Sequence, residues 1–181
     1  FAKHLGDYAP PFSTNIDTAL RTFLKSESRS MRIAAFPLVS HYERDGDYAV
    51  ELKALRRTLL AELEKEKVKD EDRNAYITTL MTVEAMWPET ISRLDALIEH
   101  GASKDVQKHI ITELGKTTSP LAAAVLLRNF SKFNTENKQL AVGTLLKRGD
   151  WALGLLSLVE QKRIPVNDLG VQTPGRLLTH P

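Results

Sequence analysis

Apolar residues recur along this chain at the three- and four-residue spacing of amphipathic helices, and no useful stretch keeps the alternation of a strand. Helices are expected from about residue 15 to 25 and from about 30 to 44, the second kinked at Pro37. The stretch 47–67 should be the most amphipathic, with Val50 and five leucines facing a core. The pattern predicts an all-α fold of about nine or ten helices.

A repeat becomes visible from about residue 70. The segments Ile77-Thr78-Thr79-Leu80, Ile111-Thr112-Glu113-Leu114 and Val142-Gly143-Thr144-Leu145 stand in matching places, 34 and then 31 residues apart. That period is typical of two-helix repeats. Partner helices are expected between the copies, at 89–99 and 121–133, and after the last copy at 151–161.

These repeats predict a HEAT-like α-solenoid of antiparallel helix pairs. We expect one helical repeat domain over 14–181, with clear repeats from about 70 to 163. Residues 1–13 form an entry segment, since Pro10 and Pro11 oppose a helix there.

The composition and charge of the chain argue against several classes of function. The 181 residues carry 25 basic and 23 acidic side chains, and a net charge of +2 is too small for a phosphate-tracking surface, so no nucleic-acid partner is expected. The absence of cysteine excludes disulfides and thiolate zinc sites. The longest uncharged run, 117–127, is too short for a membrane span, which needs about 20 residues.

The last third resembles a known family. The matching residues are Ser119-Pro120 with the alanine-rich helix after it, Leu145-Leu146-Lys147-Arg148-Gly149-Asp150-Trp151-Ala152-Leu153-Gly154-Leu155-Leu156, and Val159-Glu160-Gln161-Lys162-Arg163-Ile164-Pro165-Val166-Asn167-Asp168-Leu169. They are similar to the HEAT-like segment of large planctomycete-type proteins, which join a propeller-like dehydrogenase module to a HEAT-like array and a c-type cytochrome domain.

The resemblance implies an exported, periplasmic parent protein in which this array connects or presents redox modules. The chain begins at Phe1 rather than methionine, so we expect a processed product or a piece of a longer protein. A Cys-x-x-Cys-His haem motif is absent, and the resemblance transfers no catalytic residue. We therefore expect no cofactor in this segment.

Candidate chemistry in the residues themselves is sparse. No two of the histidines, which are His4, His41, His100, His109 and His180, share a helical face at i, i+3 or i+4. His41 with Glu43 and Asp45 is the one crowded metal-site candidate, and a solvent-exposed histidine is the preferred interpretation. Nucleophile and phosphate-loop signatures are absent.

Two further features have a structural and a functional interpretation. Asn129-Phe130-Ser131 matches a glycosylation acceptor, but it lies in an apolar helix, whereas acceptors belong on exposed loops. Trp87 and Trp151 could stack on a ligand. For Trp151, which opens an apolar helix after a tight turn, we expect a buried structural anchor.

The most promising binding surface is an outward ridge of repeated helices. Helical projection from Asp105 places four side chains outward, and the 31-residue offset carries them to the next repeat. The predicted protein-binding ridge consists of Asp105, Lys108, Thr112, Lys116, Glu136, Gln139 and Lys147, with Gly143 between the last two. The preceding repeat contributes the equivalent stripe Glu71, Asn74, Thr78 and Thr82. The preferred interpretation of these charges is that they complement the helix dipoles, and a binding surface is the functional alternative.

Three functions remain open on this sequence. The first is a non-catalytic scaffold that binds other protein domains, in the same chain or in a partner. The second is a structural part of a sugar dehydrogenase or c-type cytochrome enzyme, contributing a wall to its active site. The third, a helical nucleic-acid binder, is disfavoured by the balanced charge.

Overall fold

The computed structural model describes residues 10–43 and 46–170, and this part of the chain is all-helical, without a strand. The all-α prediction is confirmed. Within these residues the α-helices are α1 (Thr14–Lys25), α2 (Arg29–Tyr42), α3 (Ala49–Leu63), α4 (Asp70–Met81), α5 (Trp87–Glu99), α6 (Lys104–Leu114), α7 (Pro120–Arg128), α8 (Thr135–Leu145) and α9 (Gly149–Glu160). Short 3-10 helices lie at Glu84–Met86, Phe130–Lys132 and Val166–Leu169.

The chain divides into two compact units, the first ending at Trp87 and the second beginning at Pro88. This boundary lies inside the stretch 14–181 that the sequence predicts as a single repeat domain. Trp87, the last residue of the first unit, is also the first residue of α5. Its indole N–H donates to the carbonyl of Met81 at 2.9 Å, which ties that residue to the end of α4.

Helix starts follow the capping chemistry of the sequence. The hydroxyl of Ser103 accepts from the amide of Val106 at the start of α6, and the side chain of Asn134 caps α8 in the same way. Ser13 caps α1, where its hydroxyl accepts from the amide of Ile16. Gly101 adopts a φ of 86° in the turn before α6, a conformation that glycine reaches without steric cost.

The first unit packs α1, α3 and α4 around α2. Its core holds fully buried aromatic and aliphatic side chains, among them Phe36, Leu59 and Ile77. The prediction that Val50 faces the core is wrong, because this side chain is 78% exposed. At 100° per residue Val50 lies about 160° around α3 from Leu52, whose side of the helix is the buried one.

The charged residues of the stretch 62–73, which runs from the end of α3 into α4, are exposed or half-buried except for one in α4. Arg73 is buried, and its guanidinium donates to the carbonyls of Leu63 at 3.1 Å and Lys65 at 2.6 Å. Leu63 ends α3 and Lys65 lies just beyond it, so neither carbonyl has a donor from a further turn of that helix. Arg73 therefore stabilises the end of one helix from the next helix along the chain.

The second unit arranges its helices in two rows. The first row is α5, α7 and α9, and the second is α6, α8 and the 3-10 helix Val166–Leu169. Each helix contacts its equivalent in the next pair. In the contact between α7 and α9, a Cβ added to Gly154 would lie 3.0 Å from Leu127 Cδ1.

Candidate functional site

The predicted ridge lies on α6 and α8, which run side by side in the same direction. The side-chain amide of Asn137, near the start of α8, donates to the carbonyl of Lys104 at the start of α6. At the other end, Gly115 lies against Thr144. The helices begin 31 residues apart, at Lys104 and Thr135, so equivalent residues lie at equivalent heights.

The ridge side chains are exposed where helical projection placed them. In the part of the chain that the structure describes, Asp105, Lys108, Thr112, Lys116, Glu136, Gln139 and Lys147 are all exposed. Gly143 is half-buried between the last two. The structure thus brings together on one surface the residues that the sequence assigned to two successive repeats.

An ion pair joins the two helices across this ridge. The Lys108 ammonium donates to Glu136 Oε1 at 2.6 Å. This hydrogen bond raises the pKa of Lys108 and lowers the pKa of Glu136, and the Coulombic attraction within the pair adds to both shifts. Both side chains are more than half exposed, so water and salt screen the pair and it contributes little to stability.

A second ridge lysine is held within its own helix end. Lys116, just after α6, donates to Glu113 Oε1, and Glu113 is buried. Removal of this partner would leave a buried carboxylate with less compensation. Lys116 therefore helps to stabilise the end of α6. Lys147 makes no comparable ion pair within the described residues.

The stripe of the preceding repeat differs from the ridge. Glu71 and Thr82 are exposed, but Asn74 and Thr78 are half-buried. The two threonines line an apolar groove of the first unit together with residues of α1 and α2. Helical projection missed this because it treats each helix alone, whereas the exposure of α4 depends on which neighbours the fold places beside it.

Sequence reasoning also missed the polar contacts that join neighbouring helices in the second unit. Asn129 is fully buried, and its amide donates to Asp95 Oδ1 at 2.6 Å and to the carbonyl of Val125 at 3.0 Å. Arg128 donates to the other oxygen of Asp95. The signal available in the sequence was an amide side chain directly after an apolar helix.

The burial of Asn129 also decides between the two interpretations of the glycosylation sequence that begins there. A side-chain nitrogen that is enclosed and already donates to two acceptors is out of reach of a glycosylating enzyme. The structural interpretation of that sequence therefore agrees with the geometry.

The tryptophan that opens α9 is enclosed. Trp151 is 2% exposed, and the guanidinium of Arg148 lies 5.2 Å from its ring centroid. Its indole nitrogen is buried without a hydrogen-bond partner among the described residues. The ring has no open face that would make it a ligand-stacking platform.

The described residues contain no group of three or more histidine and acidic side chains placed to hold a metal ion. His41 is exposed and its ring packs edge-on against Tyr42 at 5.0 Å, while Asp45, part of the metal candidate, lies outside the described residues. His4 and His180 also lie outside them. Over the described ranges, no helix combines the length and the apolarity required to cross a bilayer.

Compared with known proteins, the chain matches no family model, no curated protein and no solved structure.

Proposed function

We propose that this chain is a non-catalytic HEAT-like scaffold that docks another protein domain through the ridge on α6 and α8. The observation that carries the proposal is the matched register of these two helices, which lines up outward polar side chains from successive repeats. Stacked helical repeats usually bind partners along such a continuous surface. The resemblance of the last third extends the proposal to an exported, multi-domain redox protein as the parent.

The charge of the ridge defines the partner surface that it fits. Lys108 and Glu136 neutralise each other, and Asp105 lies at the start of α6. The basic end of the ridge is therefore where α6 and α8 terminate, with Lys116, which is paired with Glu113, and Lys147. A partner with acidic side chains spaced across two neighbouring helix ends would complement this pattern. Such rim charges act mainly on the association rate and its salt dependence.

The experiment uses the parent's own modules. The chain and the dehydrogenase-like or cytochrome modules encoded in the same reading frame are produced separately, and their affinity is measured by calorimetry. The test variant reverses Lys108, Lys116 and Lys147 to glutamate. A second variant keeps Lys116, so that loss of its contact with Glu113 does not enter the comparison.

A control variant reverses three exposed cations away from the ridge, Lys132, Lys162 and Arg163, which changes the net charge as much as the triple ridge variant does and more than the double variant does. We expect both ridge variants to bind at least about tenfold more weakly than the control, with unchanged circular dichroism. Equal affinities of ridge and control variants would exclude this surface. A reading frame without either redox module would refute the proposed parent.

A further inference from the structure

An apolar groove of about 400 Å³ opens within the first unit, between α1, α2 and α4. Phe23 of α1 forms one wall, residues of α2 form the floor, and threonines of α4 form the opposite wall. The volume falls in the range of roughly 300 to 1,000 Å³ that is typical of small-molecule sites. Met31, 46% exposed, lies in the lining, and its flexible thioether can adapt to an occupant.

The charge of the lining restricts what the groove can hold. Not one of the residues that line it is ionisable. A carboxylate or phosphate placed there would lose its water without gaining a cationic partner, which is costly. The groove therefore suits a neutral, mostly apolar occupant.

Two of the lining threonines can act as acceptors towards an occupant. The hydroxyl of Thr79 donates to the carbonyl of Ala75 at 2.8 Å, and the hydroxyl of Thr82 donates to the carbonyl of Thr79 at 2.6 Å. Each hydroxyl hydrogen is thus in use, whereas the oxygen lone pairs can still accept.

The proline inside α2 leaves a third acceptor without its helical donor. Pro37 has no amide hydrogen, so it cannot donate to the carbonyl of Ile33, its α-helical partner four residues earlier. Both residues line the groove. Acceptors on α2 and on α4 therefore border a space that is otherwise apolar.

We infer that this groove is a binding site for a neutral apolar small molecule that carries a hydrogen-bond donor, such as a phenol or an aromatic alcohol. The inference is independent of the ridge and of the proposed parent protein. It rests on the match between an uncharged, acceptor-bearing lining and a ligand with one donor on an apolar body.

Biphenyl-4-ol serves as the probe, with 4-methoxybiphenyl as the analogue without a donor and biphenyl-4-carboxylate as the anionic analogue. Binding to the full chain is measured by amide chemical shifts in solution. For a ligand of this size the phenol should bind with a Kd of roughly 0.1 to 1 mM. The methoxy analogue should bind about three- to tenfold more weakly, and the carboxylate should bind more weakly still.

Two variants locate the site. Ala34→Phe places a ring at an exposed lining position and should abolish binding of the phenol and of the methoxy analogue. Thr79→Val removes an acceptor without changing the shape, and should reduce the advantage of the phenol over its methoxy analogue. Thr18→Val is the matched control, because Thr18 makes the same backbone hydrogen bond on α1 and is exposed outside the groove.

The inference would be overturned if the phenol left the amide shifts of the groove unchanged. It would also be overturned if the carboxylate bound as tightly as the phenol. Retained binding by a folded Ala34→Phe variant would overturn it too. Concentration-dependent shifts of the same amides without any probe would show that a second copy of the chain covers the groove instead, and would likewise refute it.

Discussion

Replacement of Gly115 by alanine tests the packing that keeps the two ridge helices in register. Gly115 follows the last residue of α6 with ordinary helical backbone angles, so alanine is allowed there by conformation. Its added Cβ, however, would lie 2.8 Å from the Cγ2 methyl of Thr144 on α8. Thr144 is buried, and its branched side chain has little room to move away.

The magnitude follows from two opposing effects. Replacing a helical glycine by alanine stabilises a protein by about 0.5 to 1 kcal/mol, whereas overpacking costs about 1 to 3 kcal/mol. We therefore expect Gly115→Ala to lower the free energy of unfolding by about 1 kcal/mol. Gly143→Ala, one residue from Thr144, meets no atom within 4 Å and should raise it by about 0.5 to 1 kcal/mol.

Thr144→Ser supplies the matched partner substitution because it removes only the methyl that the new Cβ would meet. Alone it should cost about 1 kcal/mol for the buried methyl. Combined with Gly115→Ala, it should cost less than the sum of the two changes, with a coupling of about 1 to 2 kcal/mol. The alanine methyl then occupies part of the space that the threonine methyl leaves.

Urea denaturation measures the cycle. In a Trp87→Phe background, Trp151 is the remaining tryptophan of the chain, so its fluorescence reports on the second unit. A coupling energy near zero, or a Gly115→Ala protein as stable as Gly143→Ala, would refute the close approach of the two helices at this point.

Three other substitutions test single contacts. Trp151→Ala should destabilise the second unit by about 3 to 5 kcal/mol in a urea titration followed by circular dichroism, since the substitution removes the fluorescent residue, and an unchanged midpoint would contradict its role as an anchor. Asp17 accepts a hydrogen bond from Tyr48 at 2.6 Å, which, with Arg21, lowers the pKa of Asp17 below 3.8. The ionised carboxylate of Asp17 therefore stabilises the fold above pH 3.8, and this stabilisation is lost as the pH falls through the lowered pKa of the folded state. The stability gap between wild type and Asp17→Asn should therefore close in acid, and a pH-independent gap in urea titrations would oppose this. Lys108→Glu should lower the melting temperature slightly in low salt, because it replaces the ion pair with Glu136 by a repulsion. Adding Glu136→Lys should restore the melting temperature, and a double variant that melts like Lys108→Glu would show that the pair does not form in solution.

The candidate site was partly predictable because helix periodicity is a local property. The spacing of 31 residues between apolar segments placed Lys108 and Glu136 at outward positions of successive helices. Their ion pair was not predictable, since it depends on the distance and the parallel direction of α6 and α8. The same limit explains Val50, where the apolar character was visible but the side of α3 that would be covered was not.

By itself, the sequence determined that the chain is helical, where most helices begin, and which period relates them, because capping and amphipathic spacing act over a few residues. Only the tertiary structure decided which faces are covered. Thr79 and Thr82 became one wall of an apolar groove, and Asn129 became a buried link to Asp95. These outcomes depend on packing between segments distant in the chain, where the neighbours of a side chain, rather than its own polarity, set its environment.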